Sequence, residues 1–163
     1  MTPSATFNIV LYQPEIPQNA GAVLRTCAAT GCVLHLVGPL GFRLDAAGVR
    51  RAGMDYREWG EVRRWDDWGA FKAAFPGDGR LFVATTKGSR HHGAFAYETG
   101  DWFLFGAEGS GLPQAILEEH ANTLLRIPML ARARSLNLAQ SVAVVLYEAL
   151  RQNDYPRMKG PGG

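Results

Sequence analysis

Short apolar runs alternate with amphipathic segments along the chain. The runs are rich in β-branched and aromatic residues, which is typical of buried strands. They lie at Phe7–Tyr12, Val33–Gly38, Glu61–Trp65, Arg80–Thr86, Trp102–Gly106 and Thr123–Pro128. Because helical segments separate most of them, the pattern predicts an α/β fold, a single-domain parallel sheet flanked by helices. The arginine-rich stretch from Phe42 to Gly60 fits no single element.

Helix boundaries are indicated by capping residues and helix breakers. Asn19 is a good N-cap and precedes an apolar segment that Gly31 stops. Asp66 or Asp67 can cap a second helix, which ends before Pro76. These signals place two helices between predicted strands.

Two further helices are expected in the last third of the chain. One follows Pro113, and the other lies within Arg134–Leu150. The last segment begins with polar residues and is then apolar on nearly every face, so a buried helix is predicted. Ser135 or Asn137 can serve as its cap.

Three strand ends are rich in glycine or proline. They are the stretches Ala84–Ser89, Phe105–Pro113 and Arg126–Ser135, and Lys87–Gly93 is expected to be a polar loop. In open parallel sheets, ligands bind beyond the carboxyl ends of the strands. The sequence therefore predicts a binding site where these three segments converge.

The charge distribution is more informative than the net charge. The 163 residues suffice for one domain, and the net charge of +2 does not indicate a nucleic-acid-binding protein. Two acid-free stretches carry several cations, Arg126, Arg132 and Arg134 in one, and Arg80, Lys87, Arg90, His91 and His92 in the other. Either stretch can contact phosphate or form a solvated face.

Several classes of protein are disfavoured. Cys27 and Cys32 fit no metal or redox spacing and indicate reduced thiols of a cytoplasmic protein. His91 and His92 have no partners at zinc spacing, so no metal is expected. The N-terminal residues resemble no export signal, and no segment approaches the roughly 20 apolar residues that span a bilayer.

Common catalytic templates are also missing. There is no G-x-x-x-x-G-K-[ST] phosphate loop, and the first strand does not lead into a glycine-rich dinucleotide turn. The Gly106–Gly111 stretch lacks the G-x-S-x-G elbow, which makes Ser110 a poor nucleophile. An unrelated hydrolase or oxidoreductase is therefore disfavoured.

A first motif, N-x-G-x-x-x-R, opens the first predicted helix with Asn19, Gly21 and Arg25. Arg25 lies under two helical turns from Asn19, so both side chains are expected to face the strand ends. Taken alone, the motif is more typical of a capped helix that carries a surface arginine.

Two more motifs follow strands. Phe105–Pro113 places three glycines around Glu108, and glycine allows the backbone to approach a ligand closely. Ile127–Met129 is followed by Ser135–Leu138. Individually these stretches are also compatible with a plain turn and an ordinary helix start.

Together, in this order and spacing, the three motifs resemble the SPOUT superfamily of RNA methyltransferases, and within it the branch that methylates ribose 2′-hydroxyls. The resemblance extends from Phe7 to about Pro156 and is strongest to the small tRNA 2′-O-methyltransferases of the wobble nucleotide. The supporting stretches are NIVLYQPEIPQNAG, HLVGPLGF, RRAGMDY, RLFVATTKG, RIPM and SLNL followed by VVLYEALRQ and YP. Gly109 and Ser110 depart from that subgroup, which often carries another pair, and resemble the wider 2′-O family.

The resemblance implies a fold and a cofactor. It implies a SPOUT methyltransferase domain over residues 1–156 with a C-terminal trefoil knot, a flexible tail at 157–163, and a homodimer with the knot and last helix at its interface. S-adenosylmethionine is expected in the knot, held largely by backbone groups, with no metal. Carried over by position, the cofactor contacts are Ala84, Gly106, Ile127, Ser135 and Leu136, the last lining the adenine pocket.

The resemblance also implies catalytic roles. Arg25 is placed at the ribose hydroxyl, either as general base or as a clamp on the adjacent phosphate. Guanidinium rarely releases its proton, since its pKa lies above about 12. Asn19 and Glu108 are expected to position Arg25, and Asn137 to support the loop.

Candidate contacts to the tRNA backbone are Arg50, Arg51, Lys87 and Arg132. His35 and Tyr147 are further candidates, with a core position as the alternative for both. The implied activity is cytoplasmic 2′-O-methylation of tRNA nucleotide 34, a cytidine or modified uridine, through the anticodon stem-loop of leucine isoacceptors. Another tRNA position, ribosomal RNA, and a non-catalytic RNA-binding module are the alternatives.

Overall fold

The computed structural model describes residues 4–44 and 60–159, and these ranges contain seven strands and four α-helices. The strands are β1 (Asn8–Tyr12), β2 (Val33–Val37), β3 (Glu61–Trp65), β4 (Leu81–Ala84), β5 (Arg90–His91), β6 (Trp102–Phe105) and β7 (Leu124–Arg126). The helices are α1 (Pro17–Thr30), α2 (Trp68–Ala74), α3 (Gln114–Glu119) and α4 (Leu138–Gln152). Short 3-10 helices lie at His92–Ala94 and Ala121–Thr123.

The strands of the described ranges form one sheet in the order β3-β2-β1-β6-β4-β7-β5, and every pair is parallel. Successive strand residues point to opposite faces. In β1, Ile9 and Leu11 pack in the cluster that contains α1 and α4, whereas Val10 packs with Phe71 of α2 and Ile116 of α3. Helices thus cover both faces, which confirms the predicted α/β fold.

The connection between β4 and β5 crosses another strand. β7 lies between these two strands in the sheet, although only residues 85–89 connect them. The Thr85 N–H donates to the Leu125 carbonyl at 3.0 Å. A Cβ added to Gly88 would lie 2.9 Å from the Leu125 carbonyl carbon, so only glycine fits this crossing. The chain through β7 therefore passes beneath a loop formed earlier in the sequence.

The predicted strands and most of the predicted helix ends are confirmed, although several strands are one or two residues shorter than predicted at an end. All six predicted strands are present, and Gly31 ends α1 with a positive φ of 71°. Asp67 caps α2 by accepting a hydrogen bond from the Ala70 N–H at 2.8 Å. Asn137 caps α4 by accepting from the Gln140 N–H at 3.2 Å.

Two local predictions are wrong. Asn19 does not cap α1, because the helix begins at Pro17 and Asn19 lies inside its first turn. The stretch Lys87–Gly93 is not wholly a loop, because Arg90 and His91 form β5 against β7. A polar strand of two residues carries no apolar pattern, so the sequence could not reveal it.

α4 is amphipathic, whereas the sequence predicted a helix that is apolar on nearly every face. Leu138, Val142, Val145, Leu146, Ala149 and Leu150 are buried against the sheet and α1. Val144 and Tyr147 lie on the opposite side and are 39% and 46% exposed. Tyr147 is therefore not a core residue.

The C-terminal residues pack against the domain beyond the predicted boundary at residue 156. Arg157 donates to the Ser4 carbonyl at 3.3 Å, and Met158 packs against the core. Residues 160–163 lie outside the described ranges. The packed part of the chain thus includes two residues that were assigned to the tail.

His35 lies in the core, which corrects the expectation that it contacts the substrate. Its side chain is 0% exposed. The Trp65 indole N–H donates to Nδ1 at 3.2 Å, so Nε2 carries the proton and donates to the Asn8 Oδ1 at 3.1 Å. Burial and the nearby Arg63 lower the pKa of His35 from 6.5 to about 4. The ring is a neutral, fully hydrogen-bonded core group.

Candidate active site

A cavity of about 550 Å³ lies at the carboxyl ends of β4, β6 and β7. Its lining includes all three loops that the sequence predicted to converge, together with the starts of α1 and α4. The five residues expected to bind a cofactor all line it: Ala84, Gly106, Ile127, Ser135 and Leu136. Asn19, Glu108, Asn137 and Lys87 line it as well. The structure therefore brings most of the predicted site together.

The Glu108 loop is closed at its base by the backbone. Ala107 and Gly111 exchange N–H to carbonyl hydrogen bonds of 3.1 and 2.9 Å. Gly111 has a φ of 66°, and a Cβ added to Gly106 would lie 2.5 Å from the Gly111 carbonyl carbon. Both glycines are needed to turn the chain this tightly, so Glu108 projects from a well-defined loop.

Glu108 joins the loop to the start of α1. Its carboxylate accepts from the N–H groups of Glu15 at 2.7 Å and Ile16 at 3.1 Å, and from the Asn19 amide at 3.3 Å. Ile16 is the N-cap residue of α1 and makes no capping bond with its own side chain. The Glu108 carboxylate thus stabilises the positive end of the helix from another part of the chain.

Asn19 connects Glu108 to Asn137. The Asn137 amide N–H donates to the Asn19 Oδ1 at 3.0 Å, and the Asn137 Oδ1 accepts from the Gln140 N–H. A carboxylate only accepts hydrogen bonds and a backbone N–H only donates them. The two ends of this series of hydrogen bonds therefore fix the orientation of the Asn19 and Asn137 amides. Asn19, Glu108 and Asn137, which we call the polar wall, form a continuous network that joins all three motifs.

Hydrogen bonds from backbone N–H groups and from Asn19 keep Glu108 ionised. Burial alone would raise the pKa of its carboxyl. Hydrogen bonds from the Glu15 N–H, its own backbone N–H, the Asn19 amide and the Ile16 N–H outweigh this effect and lower the pKa below the ordinary value. Glu108 is therefore a carboxylate at neutral pH and acts as an acceptor within this network.

Glu15 is a site residue that the sequence did not single out. Its carboxylate accepts from the Gly109 N–H at 3.0 Å, while its own N–H donates to Glu108. The two loops thus hold each other through reciprocal hydrogen bonds. A Cβ added to Gly109 would lie 3.3 Å from the Glu15 Oε1, so the small residue allows this close approach. Its position two residues before a proline gave no signal of this role.

Some predicted residues do not line the cavity. Arg25 is exposed on α1, and six residues of helix rotate it by about 240° from Asn19, so the two side chains do not share a face. Arg132 and Tyr147 are exposed elsewhere, and Arg50 and Arg51 lie outside the described residues. The catalytic role of Arg25 and the RNA contacts of these residues stay predictions.

The cavity suits a molecule with both apolar and polar parts. Leu125, Ile127, Leu136 and Leu138 provide an apolar side, and backbone groups of the Gly106–Gly111 loop provide a polar one. The volume lies within the range of small-molecule sites, about 300–1,000 Å³. An adenine ring and an amino-acid chain can both be accommodated. No cluster of three or more His, Cys, Asp or Glu suited to a metal occurs among residues 4–44 and 60–159.

A family model described as the SpoU rRNA Methylase family matches residues 6–147. The chain belongs to this family. A tRNA (cytidine(34)-2'-O)-methyltransferase of Burkholderia ambifaria is 52% identical over 148 residues, which cover 90% of this chain and 95% of that protein. The Escherichia coli K12 enzyme of the same name is 49% identical, with 91% and 95% of the two chains covered. These matches confirm the resemblance that the three motifs indicated.

Solved structures agree with this assignment. A structure described as giving insights into the 2-OH methylation of C/U34 on tRNA superposes with a TM-score of 0.85 at 45% identity, covering 91% of this chain and 96% of the other. An AdoMet-bound rRNA methyltransferase from Sinorhizobium meliloti has a TM-score of 0.76 at 29% identity, covering 93% of this chain and 58% of the other. Within the described part of this SpoU-family chain, no helix is long and apolar enough to cross a membrane.

Proposed function

We infer that this protein is an S-adenosylmethionine-dependent methyltransferase that methylates the ribose 2′-hydroxyl of nucleotide 34 in tRNA. The polar wall at the cavity carries this conclusion, because it assembles Asn19, Glu108 and Asn137 from three separate motifs in one hydrogen-bonded network. The relatives that share about half of its residues are tRNA (cytidine(34)-2'-O)-methyltransferases. The intact network also disfavours a non-catalytic RNA-binding module.

The cofactor is expected between the apolar and backbone sides of the cavity. Ala84, Gly106, Ile127 and Ser135 would hold it through backbone or small polar groups, and Leu136 would cover its adenine. The cofactor supplies a methyl group on a sulfonium, which needs little activation. The ribose hydroxyl is the weaker partner, so the protein's main task is to align it and accommodate the loss of its proton.

Arg25 is proposed to act on the hydroxyl or its adjacent phosphate in a homodimer. Its side chain lies on the exposed side of α1, and α1 packs against α4. Val144 and Tyr147 on α4 are large exposed side chains that a second copy would cover. Dimerisation through these helices would place Arg25 beside the partner subunit, where it can complete a site.

The crossing of residues 85–89 over β7 supports a C-terminal trefoil knot. β7 lies between two strands that a short loop already connects, so the chain from β7 to α4 must be threaded past that loop. Chains rarely thread loops, so this arrangement needs a functional reason. Tight enclosure of the cofactor by three crossing segments is such a reason.

The proposed substrate is the anticodon stem-loop of leucine tRNAs in the cytoplasm, with cytidine or modified uridine at position 34. Sequence-specific recognition of RNA mostly targets unpaired loops, whose bases can be splayed and reached by a compact protein. A loop of this kind presents the ribose of nucleotide 34 without the need to open a duplex.

Mass spectrometry of nuclease-digested RNA tests the function. Transfer RNA and ribosomal RNA from cells that lack the gene are incubated with the cofactor and either the wild-type protein or a Glu108→Ala variant. We expect one new 2′-O-methyl group at nucleotide 34 with the wild type and at least about 100-fold slower methylation with the variant. Methylation of another tRNA position or of ribosomal RNA would favour the alternative target, and no methylation would exclude the proposal.

A further inference from the structure

Most cations of the described residues have a partner within the protein. Arg63, Lys72, Arg80 and Arg151 form ion pairs. Arg64, Arg90 and Arg157 donate to carbonyl groups, and Arg25 and Arg43 also make contacts. Within residues 4–44 and 60–159, the lysine and arginine side chains without a protein partner are Lys87, Arg126, Arg132, Arg134 and Lys159.

The cations without partners are concentrated at the cavity. Lys87, Arg126 and Arg134 all line it, and Arg132 belongs to the same loop as Arg134. Glu108 is the only carboxylate among the described residues of the lining, and its oxygens are already occupied by N–H donors. This side of the cavity, which we call the cationic wall and define as Lys87, Arg126 and Arg134, therefore has no neutralising group of its own.

The fold brings the backbones of two of these residues close together. The Lys87–Gly88 segment crosses β7 so closely that a Cβ added to Gly88 would lie 3.2 Å from the Arg126 nitrogen. Arg126 is the last residue of β7 and pairs with His91 of β5 in the sheet. Cations that line the same cavity repel one another, which an anionic ligand would relieve.

We propose that the cationic wall binds the phosphate groups on either side of the nucleotide whose ribose is methylated. This inference rests on the proposed function and names the residues that hold its substrate. RNA carries one negative charge for each nucleotide, which suits a row of cations. The cofactor has one carboxylate but also an ammonium and a sulfonium, so its own charge does not call for three cations.

The position of the wall also suits this role. It lies along β7 and the loops beside it, whereas the polar wall extends from α1 and the Glu108 loop to Asn137 at the start of α4. A strand of RNA held by its phosphates at the cationic wall would place a ribose in the cavity that both walls line. Phosphate contacts fix the register of the bound strand, which determines the ribose that enters the cavity.

The test measures binding of an anticodon stem-loop RNA by fluorescence anisotropy over a series of salt concentrations. The variants are the triple Lys87→Ala, Arg126→Ala, Arg134→Ala and a charge-retaining triple, Lys87→Arg, Arg126→Lys, Arg134→Lys. Lys159→Ala is the matched control, because Lys159 is also exposed and without a partner in the described chain but does not line the cavity.

Each lost phosphate contact lowers the slope of log K against log salt by about 0.7 for single-stranded RNA. We expect the alanine triple, which loses the contacts to two phosphates, to lose about 1.4 in this slope and to bind roughly 10- to 100-fold more weakly at low salt. The charge-retaining triple and Lys159→Ala should keep the wild-type slope. Calorimetry with S-adenosylhomocysteine should show cofactor affinity within about twofold of wild type for all variants, since no predicted cofactor contact is changed.

A second measurement leaves the protein unchanged. Neutral methylphosphonate linkages replace the phosphates on either side of nucleotide 34 in the RNA. Wild type should lose most of the slope that the alanine triple loses, and the triple should be insensitive to the replacement. Because the wild-type protein is used, this experiment remains informative if a variant fails to fold.

Two results would overturn the proposal. One is a wild-type salt slope in the alanine triple or with the methylphosphonate RNA, and the other is a loss of cofactor affinity with unchanged RNA binding. Methylation of nucleotide 34 by the wild-type protein is measured in the same preparation. If the wild type methylates that nucleotide while the slopes are unchanged, the cationic wall fails and the proposed function stands.

Discussion

The two walls of the cavity differ in how their hydrogen-bonding and charge requirements are met. In the polar wall, Glu108 accepts from three N–H groups and Asn19 bonds to a neighbour on each side. In the cationic wall, Lys87, Arg126 and Arg134 have no side-chain partner within the described part of the protein. The groups of the polar wall are satisfied within the protein, whereas the cations of the cationic wall are exposed and have no anionic partner there.

The difference indicates that the two walls have different functions. A preorganised network does not need to rearrange during the reaction, and it can therefore hold reacting groups in a fixed geometry. Cations that contact phosphate add attraction for the RNA strand and fix its register, but they do not act on the reacting hydroxyl. We expect damage to the polar wall to lower the rate of methyl transfer, and damage to the cationic wall to weaken substrate binding.

The largest effect is expected from Glu108→Ala. The change leaves the N–H groups of Glu15 and Ile16 without their acceptor and frees the Asn19 amide. Methyl transfer should fall at least about 100-fold at saturating tRNA, and the free energy of unfolding should drop by about 1–3 kcal/mol. Single-turnover methylation and urea unfolding measure the two quantities. A near-normal rate with reduced stability would show that the polar wall is only structural.

Arg25→Ala is expected to lower turnover by about 100-fold while cofactor affinity is kept. Arg25 lies outside the cavity lining, so its removal should not disturb the cofactor pocket. Its proposed role is alignment at the hydroxyl, an effect worth several kcal/mol. Calorimetric titration with the cofactor is the decisive check. A parallel loss of cofactor affinity would contradict the role assigned to this residue.

The His35 network provides a comparison away from the cavity. The folded protein keeps His35 neutral down to about pH 4, whereas the unfolded chain takes up a proton near pH 6.5. Stability should therefore fall by roughly 3 kcal/mol as the pH is lowered between these values. Urea unfolding at several pH values measures this decrease, and His35→Gln should remove most of it.

Glu108 and His35 affect the stability of the protein in different pH ranges, so their contributions can be measured separately. Its folded pKa is lowered, so its contribution is present above the ordinary carboxyl pKa and is lost as the pH falls further. His35→Gln should also leave the salt slope of RNA binding unchanged. A flat stability profile in the wild type between pH 6.5 and 4 would contradict the assignment of His35 as a neutral core residue.

The smallest effect in this set is expected from Glu15→Ala. The variant loses the acceptor for the Gly109 N–H but keeps the Glu15 N–H that donates to Glu108. We expect a roughly tenfold lower turnover with an unchanged KM for tRNA, because only the position of the loop is disturbed. Glu15→Gln keeps an acceptor oxygen and should recover most of the rate. Equal damage from both variants would indicate that the charge matters more than the loop contact.

The fold class and the convergence of the loops could be predicted from local patterns. Apolar β-branched runs separated by helices define parallel strands, and their glycine-rich ends define the cavity. The same patterns could not show that β5 lies beyond β7, because Arg90 and His91 have no apolar signature. They also could not reveal the crossing at Gly88, which depends on the strand order rather than on local sequence.

The site was predictable where a motif carries the chemistry, and not where contacts are tertiary. Asn19, Glu108 and Asn137 stand out by their place in motifs, whereas Glu15 acts through a contact 94 residues away in the sequence. The arginines Arg126 and Arg134 were visible as a charged stretch, and charge alone favoured a solvated face as their explanation. The proposal that they bind phosphate depends on their position at the cavity and on the lack of a protein partner, which only the structure shows.

The separate functions of the two walls are tested most directly by comparing one variant of each wall in the same assay. Single-turnover methylation of nucleotide 34 is measured over a wide range of tRNA concentrations for Glu108→Ala and Arg134→Ala. We predict that Arg134→Ala raises the tRNA concentration for half-maximal rate, with a maximal rate within about threefold of wild type, whereas Glu108→Ala stays slow at every concentration. A slow maximal rate in Arg134→Ala, or recovery of Glu108→Ala at high tRNA, would contradict the account.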